Sequence, residues 1–146
     1  MKTAVILFTL ALVNACSSVP GGTTVDLRTL TTGNNAGISP AGQQIESASD
    51  DATYQRLWSQ IVGDPDRRPE VDFTKESVVF LLAGQKSTGG YSIEPSRARI
   101  EGQTLVVDAA VRNPPADAIT TQALTSPYAV VAIRRMRPFN DVRWGQ

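Results

Sequence analysis

The run Val78-Val79-Phe80-Leu81-Leu82-Ala83 constrains the fold more than any other feature of this chain. It is apolar at every position, so as a strand it has no wet face and belongs at the centre of a sheet. Tyr128 to Ile133 has the same character. The remaining strand signals differ. Val25 to Thr31 alternates apolar and polar residues with β-branched side chains, Tyr91 to Glu94 alternates as a strand with one wet face does, and Gln43 to Ala48 and Leu105 to Val111 complete the set. Glu101-Gly102-Gln103 is a turn signal and Asn113-Pro114-Pro115-Ala116-Asp117 a longer break. Short turns favour antiparallel pairing.

One helix is expected, over Asp50 to Val62. Asp50 or Asp51 can cap its first turn, and Tyr54, Leu57, Trp58, Ile61 and Val62 fall on a single stripe. Gly63-Asp64-Pro65 ends it. A stripe of this width docks on a sheet, and Asp64 to Asp72 then reads as a solvated connection. The expected fold class is α+β: an antiparallel, sandwich-like sheet with one packed helix, preceded by an N-terminal signal segment.

The chain has 146 residues, 14 Lys+Arg, 14 Asp+Glu, one cysteine and no histidine. The cysteine stands at the end of a segment with one basic residue, an apolar run from Ala4 to Val13, and the small residue Ala15. That is a secretory signal, too short for a permanent span. Val13-Asn14-Ala15-Cys16 looks like a bacterial lipobox, which places the lipid on Cys16 and makes residues 1–15 a lipoprotein signal peptide. Residues 16–24, rich in Ser, Gly and Pro, are expected as a flexible tether, and residues 25–146 as a single globular domain. Ser17 after the lipidated position resembles the sorting signal for the outer membrane, so the expected location is the bacterial envelope.

Without imidazole, a Ser/His/Asp triad and a Cys/His pair are excluded, and nearly every zinc site with them. A lone cysteine excludes internal disulfides. Lys86 and Ser87 are adjacent in an extended segment and point to opposite faces, so they do not form a nucleophile and base. No calcium loop is present, and Gly84 to Gly90 lacks the order of Gly and Lys that a phosphate loop needs. No enzyme, no metal and no cofactor is therefore expected. The balanced charge gives no reason to expect nucleic acid. Arg134, Arg135, Arg137 and Arg143 make a local basic patch, read either as a solvated strand end or as a contact for lipid phosphate or an acidic partner.

The strand Val78 to Ala83 running into Gly84-Gln85-Lys86-Ser87-Thr88-Gly89-Gly90-Tyr91, with Gly102, Leu105-Val106-Val107, Pro114-Pro115 and Thr125-Ser126-Pro127-Tyr128, resembles the C-terminal domain of the PrcB family over about residues 50–135. The resemblance implies an exported, lipid-anchored, non-enzymatic subunit of a surface protease complex, with a protein partner. Lys86, Ser87, Thr88, Gly89, Gly90 and Tyr91 are then the candidate contact loop. Two readings of it stand open: the paired glycines admit a partner's close approach and Tyr91 is displayed, or they close a hairpin and Tyr91 fills the core. A second resemblance, to chagasin-like inhibitors of cysteine peptidases, uses Ser87 to Tyr91 as one loop and Arg137-Pro138-Phe139 as another. It implies binding in a peptidase cleft.

Overall fold

The computed structural model of the protein describes residues 21–146, and the signal segment and Cys16 lie outside them. Its strands are β1 (Thr23–Val25), β2 (Leu27–Gly33), β3 (Gln44–Ala48), β4 (Glu76–Leu82), β5 (Ser92–Glu101), β6 (Thr104–Arg112), β7 (Tyr128–Arg134) and β8 (Asp141–Gly145), with one α-helix, α1 (Asp51–Ile61), between β3 and β4. Two four-stranded sheets form, in the orders β1-β5-β6-β8 and β2-β7-β4-β3.

The strands without a wet face are the middle pair of the second sheet, β4 and β7, and both faces are covered. Val79, Leu81, Ala129, Val131 and Ile133 pack against Ile93, Ala98, Ile100, Leu105 and Val107 of the first sheet. On the other face Val78, Phe80, Leu82, Tyr128 and Val130 pack under Tyr54, Leu57, Trp58 and Ile61 of the helix. Successive side chains point to opposite faces of a strand, so each strand serves two cores. The molecule has three layers: sheet, sheet, helix. That is the expected α+β arrangement, mostly sheet with one packed helix.

The helix starts where its cap is. Asp50 is extended, and its carboxylate accepts from Thr53 N at 2.8 Å and Thr53 Oγ1 at 2.9 Å. Gly63 ends it in the left-handed region, with Val62 N and Gly63 N both donating to Trp58 O. The following connection is less free than its composition predicts. It contains a 3-10 turn at Pro65–Arg67, and it takes the polar ends of two buried rings: Trp58 Nε1 donates to Asp64 O at 2.6 Å and Tyr54 Oη to Pro69 O at 3.2 Å. Burial pushes the Tyr54 phenol up to about 12.

Three expectations need correction. Thr23 and Thr24 are not tether but open β1, because they pair with Ile100 and Arg99 of β5. The sheet is not wholly antiparallel, since β8 runs parallel to β6, with Asp141 opposite Thr104 and Gly145 opposite Asp108. The strand starting after Tyr91 does not stop at Glu94 but continues to Glu101 through a bulge between Pro95 and Arg97. A bulge is one of the few places a strand accepts proline.

Candidate functional site

The loop from Ala83 to Tyr91 carries the chain from the second sheet to the first and is bound at nearly every step to the chain's own loops. Gly84, at φ +78°, lies where an added Cβ would stand 2.8 Å from Gly42 O, and Gln85 N donates to Pro40 O at 3.0 Å. Lys86 and Thr125 exchange backbone hydrogen bonds of 2.8 and 3.0 Å. Thr125, itself buried, donates from Oγ1 to Thr88 O at 2.8 Å, and Gly89 N donates to Thr121 O at 3.0 Å. From the third side, Ser126 N donates to Asn34 O at 2.7 Å. Residues 34–43, 84–91 and 113–127 thus build one end of the sandwich together.

This arrangement decides what the paired glycines do. A Cβ on Gly89 would collide with Thr121 Oγ1, and one on Gly90, at φ +86°, would lie 2.8 Å from Pro114 Cβ. The close approach is made by residues 113–127 of the same chain. Neither a simple hairpin nor a naked display loop describes it. Gly89 is buried, Ser87 and Gly90 are exposed, and Lys86, Thr88 and Tyr91 are half-buried. The Lys86 ammonium sits 5.6 Å from the Tyr91 ring centroid, within cation–π range. Tyr91 is therefore neither a core residue nor a free projection.

Among exposed polar residues such as Gln85, Asp117 and Gln122, this end holds two large apolar side chains in solvent, both on the opposing loop. Ile119 is 103% exposed and Leu124 66%. Neither residue was among the candidates from sequence. Their signal was present: two large apolar residues inside a Pro-, Thr- and Ala-rich break with no strand period.

Arg137, Pro138 and Phe139 lie at the other end. In the β4–β7 register Leu82 pairs with Tyr128 and Glu76 with Arg134, so Ala83 to Tyr91 follows one end of the sheet and Arg137 to Phe139 the opposite end. Arg137 and Pro138 are exposed, while Phe139 is half-buried and packs against the inter-sheet core. The structure does not bring the two loops together as a single cleft-filling wedge.

The outer face of the first sheet carries an ion network. Asp108 of β6 is buried, accepts from Arg97 Nε at 3.0 Å and is in contact with Arg99 Nη1. Arg99 reaches Glu101 at 2.7 Å, and Arg143 of β8 reaches the same carboxylate at 3.0 Å. Hydrogen bonds to Asp108 and Glu101 raise the Arg99 guanidinium, and the bond from Arg99 holds Glu101 below its ordinary range. Asp108 Oδ1 lies against Gly145, where an added Cβ would collide with it. The network ties β5, β6 and β8 together. Among the described residues no group of three or more acidic or thiol side chains is placed to hold a metal ion.

Residues 77–134 match the family model described as PrcB C-terminal, a narrower span than the expected 50–135, which leaves α1 outside. Comparisons with curated proteins and with solved structures return no match.

Proposed function

We propose, from the match of residues 77–134 to the PrcB C-terminal family model, a family of protease-complex subunits, that the chain is a non-enzymatic accessory subunit of an envelope protease complex. In this reading a lipid on Cys16 holds it at the bacterial membrane, and the end built from residues 84–91 and 113–127 takes its protein partner. The observation that carries the proposal is where the family match falls. It runs from β4 through β7 and includes both loops of the composite end, with Ile119 and Leu124 standing in solvent on the second.

The glycine loop acts as a buttress in this reading. Its glycines and the Lys86–Thr125 pairing fix the backbone of residues 113–127, so that the apolar side chains are presented at little ordering cost on binding. Non-enzymatic action is supported by the lack of any histidine in the chain and by a single cysteine, the one assigned to lipid.

Affinity capture from the native envelope tests the proposal. The wild-type chain should co-purify with an active peptidase, and Ile119→Asp with Leu124→Asp should lose it tenfold or more while changing stability by less than about 0.5 kcal/mol, as surface substitutions do. Undiminished capture by the double variant would remove the composite end from the interaction. Turnover of peptides by the purified chain alone would end the non-enzymatic reading.

A further inference from the structure

The described chain begins at the end of the sandwich opposite the composite loops. Gly22 lies against Glu101 beside the β5–β6 turn, and Thr23 pairs with Ile100. β7 leaves its sheet at this same end, and the bend that follows, Arg135 to Phe139, is fastened to β1: Arg137 Nη2 donates to Thr23 Oγ1 at 3.1 Å. Phe139 packs its ring against the inter-sheet core, which fixes the bend from below, while Arg135, Met136, Arg137 and Pro138 are all exposed. Met136 is one of three exposed large apolar residues among the described residues, at 61%.

The cations around the bend are neutralised, but those within it are not. Arg134 reaches Asp26 at 3.3 Å, Lys75 reaches Asp72 at 2.8 Å and Arg143 reaches Glu101 at 3.0 Å. Arg135 and Arg137 make no ion pair among the described residues. Their hydrogen bonds go to uncharged oxygens, Phe73 O at 2.7 Å and Thr23 Oγ1. Two uncompensated positive charges thus flank an exposed thioether at the point from which the N-terminal segment departs.

We infer that the Arg135-Met136-Arg137 bend rests on the anionic phospholipid headgroups of the membrane that holds Cys16. The inference rests on the lipid-anchor part of the proposed function. Cys16 precedes Thr23 by seven residues, so even a fully extended chain keeps Thr23, and Arg137 bonded to it, within about 25 Å of the anchor. An anionic leaflet attracts each arginine near its surface roughly fivefold, and an unbranched apolar side chain between them enters the interface. An acidic protein offers the same charge, but the short chain to the anchor brings the membrane to the bend first. The composite loops then stand roughly 30 Å farther out, the length of a strand such as β5.

The test uses the full lipidated chain carrying Met136→Cys, in which lipid occupies Cys16 and the introduced thiol alone takes an environment-sensitive dye. On vesicles of phosphatidylglycerol and phosphatidylcholine the emission should shift to the blue. Arg135→Gln with Arg137→Gln should abolish the shift, and so should vesicles of phosphatidylcholine alone. The same dye at Ile119→Cys should report water throughout. Dye at position 136 that still reports water on vesicles carrying the protein overturns the inference and leaves the anchor standing; protein that does not float with the vesicles overturns both. In the unsubstituted lipidated chain, amide exchange over residues 135–139 should slow on the anionic vesicles, and unchanged exchange counts against the inference. A response of position 136 to an acidic protein but not to lipid would likewise overturn it.

Discussion

Two glycines with nearly the same backbone angle separate strain from contact. Gly63 and Gly90 stand at φ +83° and +86°, but an added Cβ meets nothing at Gly63 and meets Pro114 at 2.8 Å at Gly90. Gly63→Ala should cost about 1 kcal/mol, for the left-handed backbone alone. Gly90→Ala should cost about 2 to 3 kcal/mol, because Pro114 must also move. Denaturant midpoints of the two variants check this, and equal losses would mean that residues 113–127 do not lean on the glycine loop. From the sequence, Gly89 and Gly90 could be read as positions needing freedom from a side chain. What crowds them could not, since Thr121 and Pro114 are distant in the chain and their loop has no periodicity to place it. Tyr91 was ambiguous for the same reason: its surroundings come from tertiary packing, including Lys86 above its ring.

At the scale of elements, legibility followed how strongly one pattern dominated. α1 was plain because the cap at Asp50, the stripe from Tyr54 to Ile61 and the stop at Gly63 agree, and β4 and β7 were plain because no wet position interrupts them. β5 was cut short because Pro95, Arg97 and Arg99 look like loop residues until Asp108 is seen beneath the two guanidinium groups. β8 escaped notice because a five-residue edge strand with two charged positions has too little pattern of its own. The docking of α1 carries a pH signature. Tyr54 packs its ring against Trp58, Phe73 and Phe80, and its phenol is pushed up to about 12 by burial. In the unfolded chain it ionises near 10. Between about pH 10 and 12 the unfolded state therefore releases a proton that the folded state keeps, and stability falls as pH rises through that window. Tyr54→Phe should flatten this decline, as read from chemical denaturation at pH 9 and 11; equal slopes would show that the phenol is not the group responsible.

The whole molecule has two unlike ends: three interlocked loops with Ile119 and Leu124 at one, the N-terminal departure and the arginine bend at the other. If the anchor is as proposed, Cys16→Ala should move the protein from the membrane to the soluble fraction with its melting temperature unchanged, because the two cores described are built from residues Val25 onward. Persistence in the detergent phase would refute the lipid on Cys16. The pairing of strands has a further consequence, for the time order of folding. β1 waits for β5, β2 for β7, and β8 joins only after β6. The β3–β4 pair and the β1-β5-β6 strands are available by residue 112, but neither sheet is complete until residues 128 to 145 arrive, and the second lacks its central strand β7 until then. Slow, late closure follows from connectivity alone, and any passage that demands an unthreaded chain has the whole of that interval in which to occur.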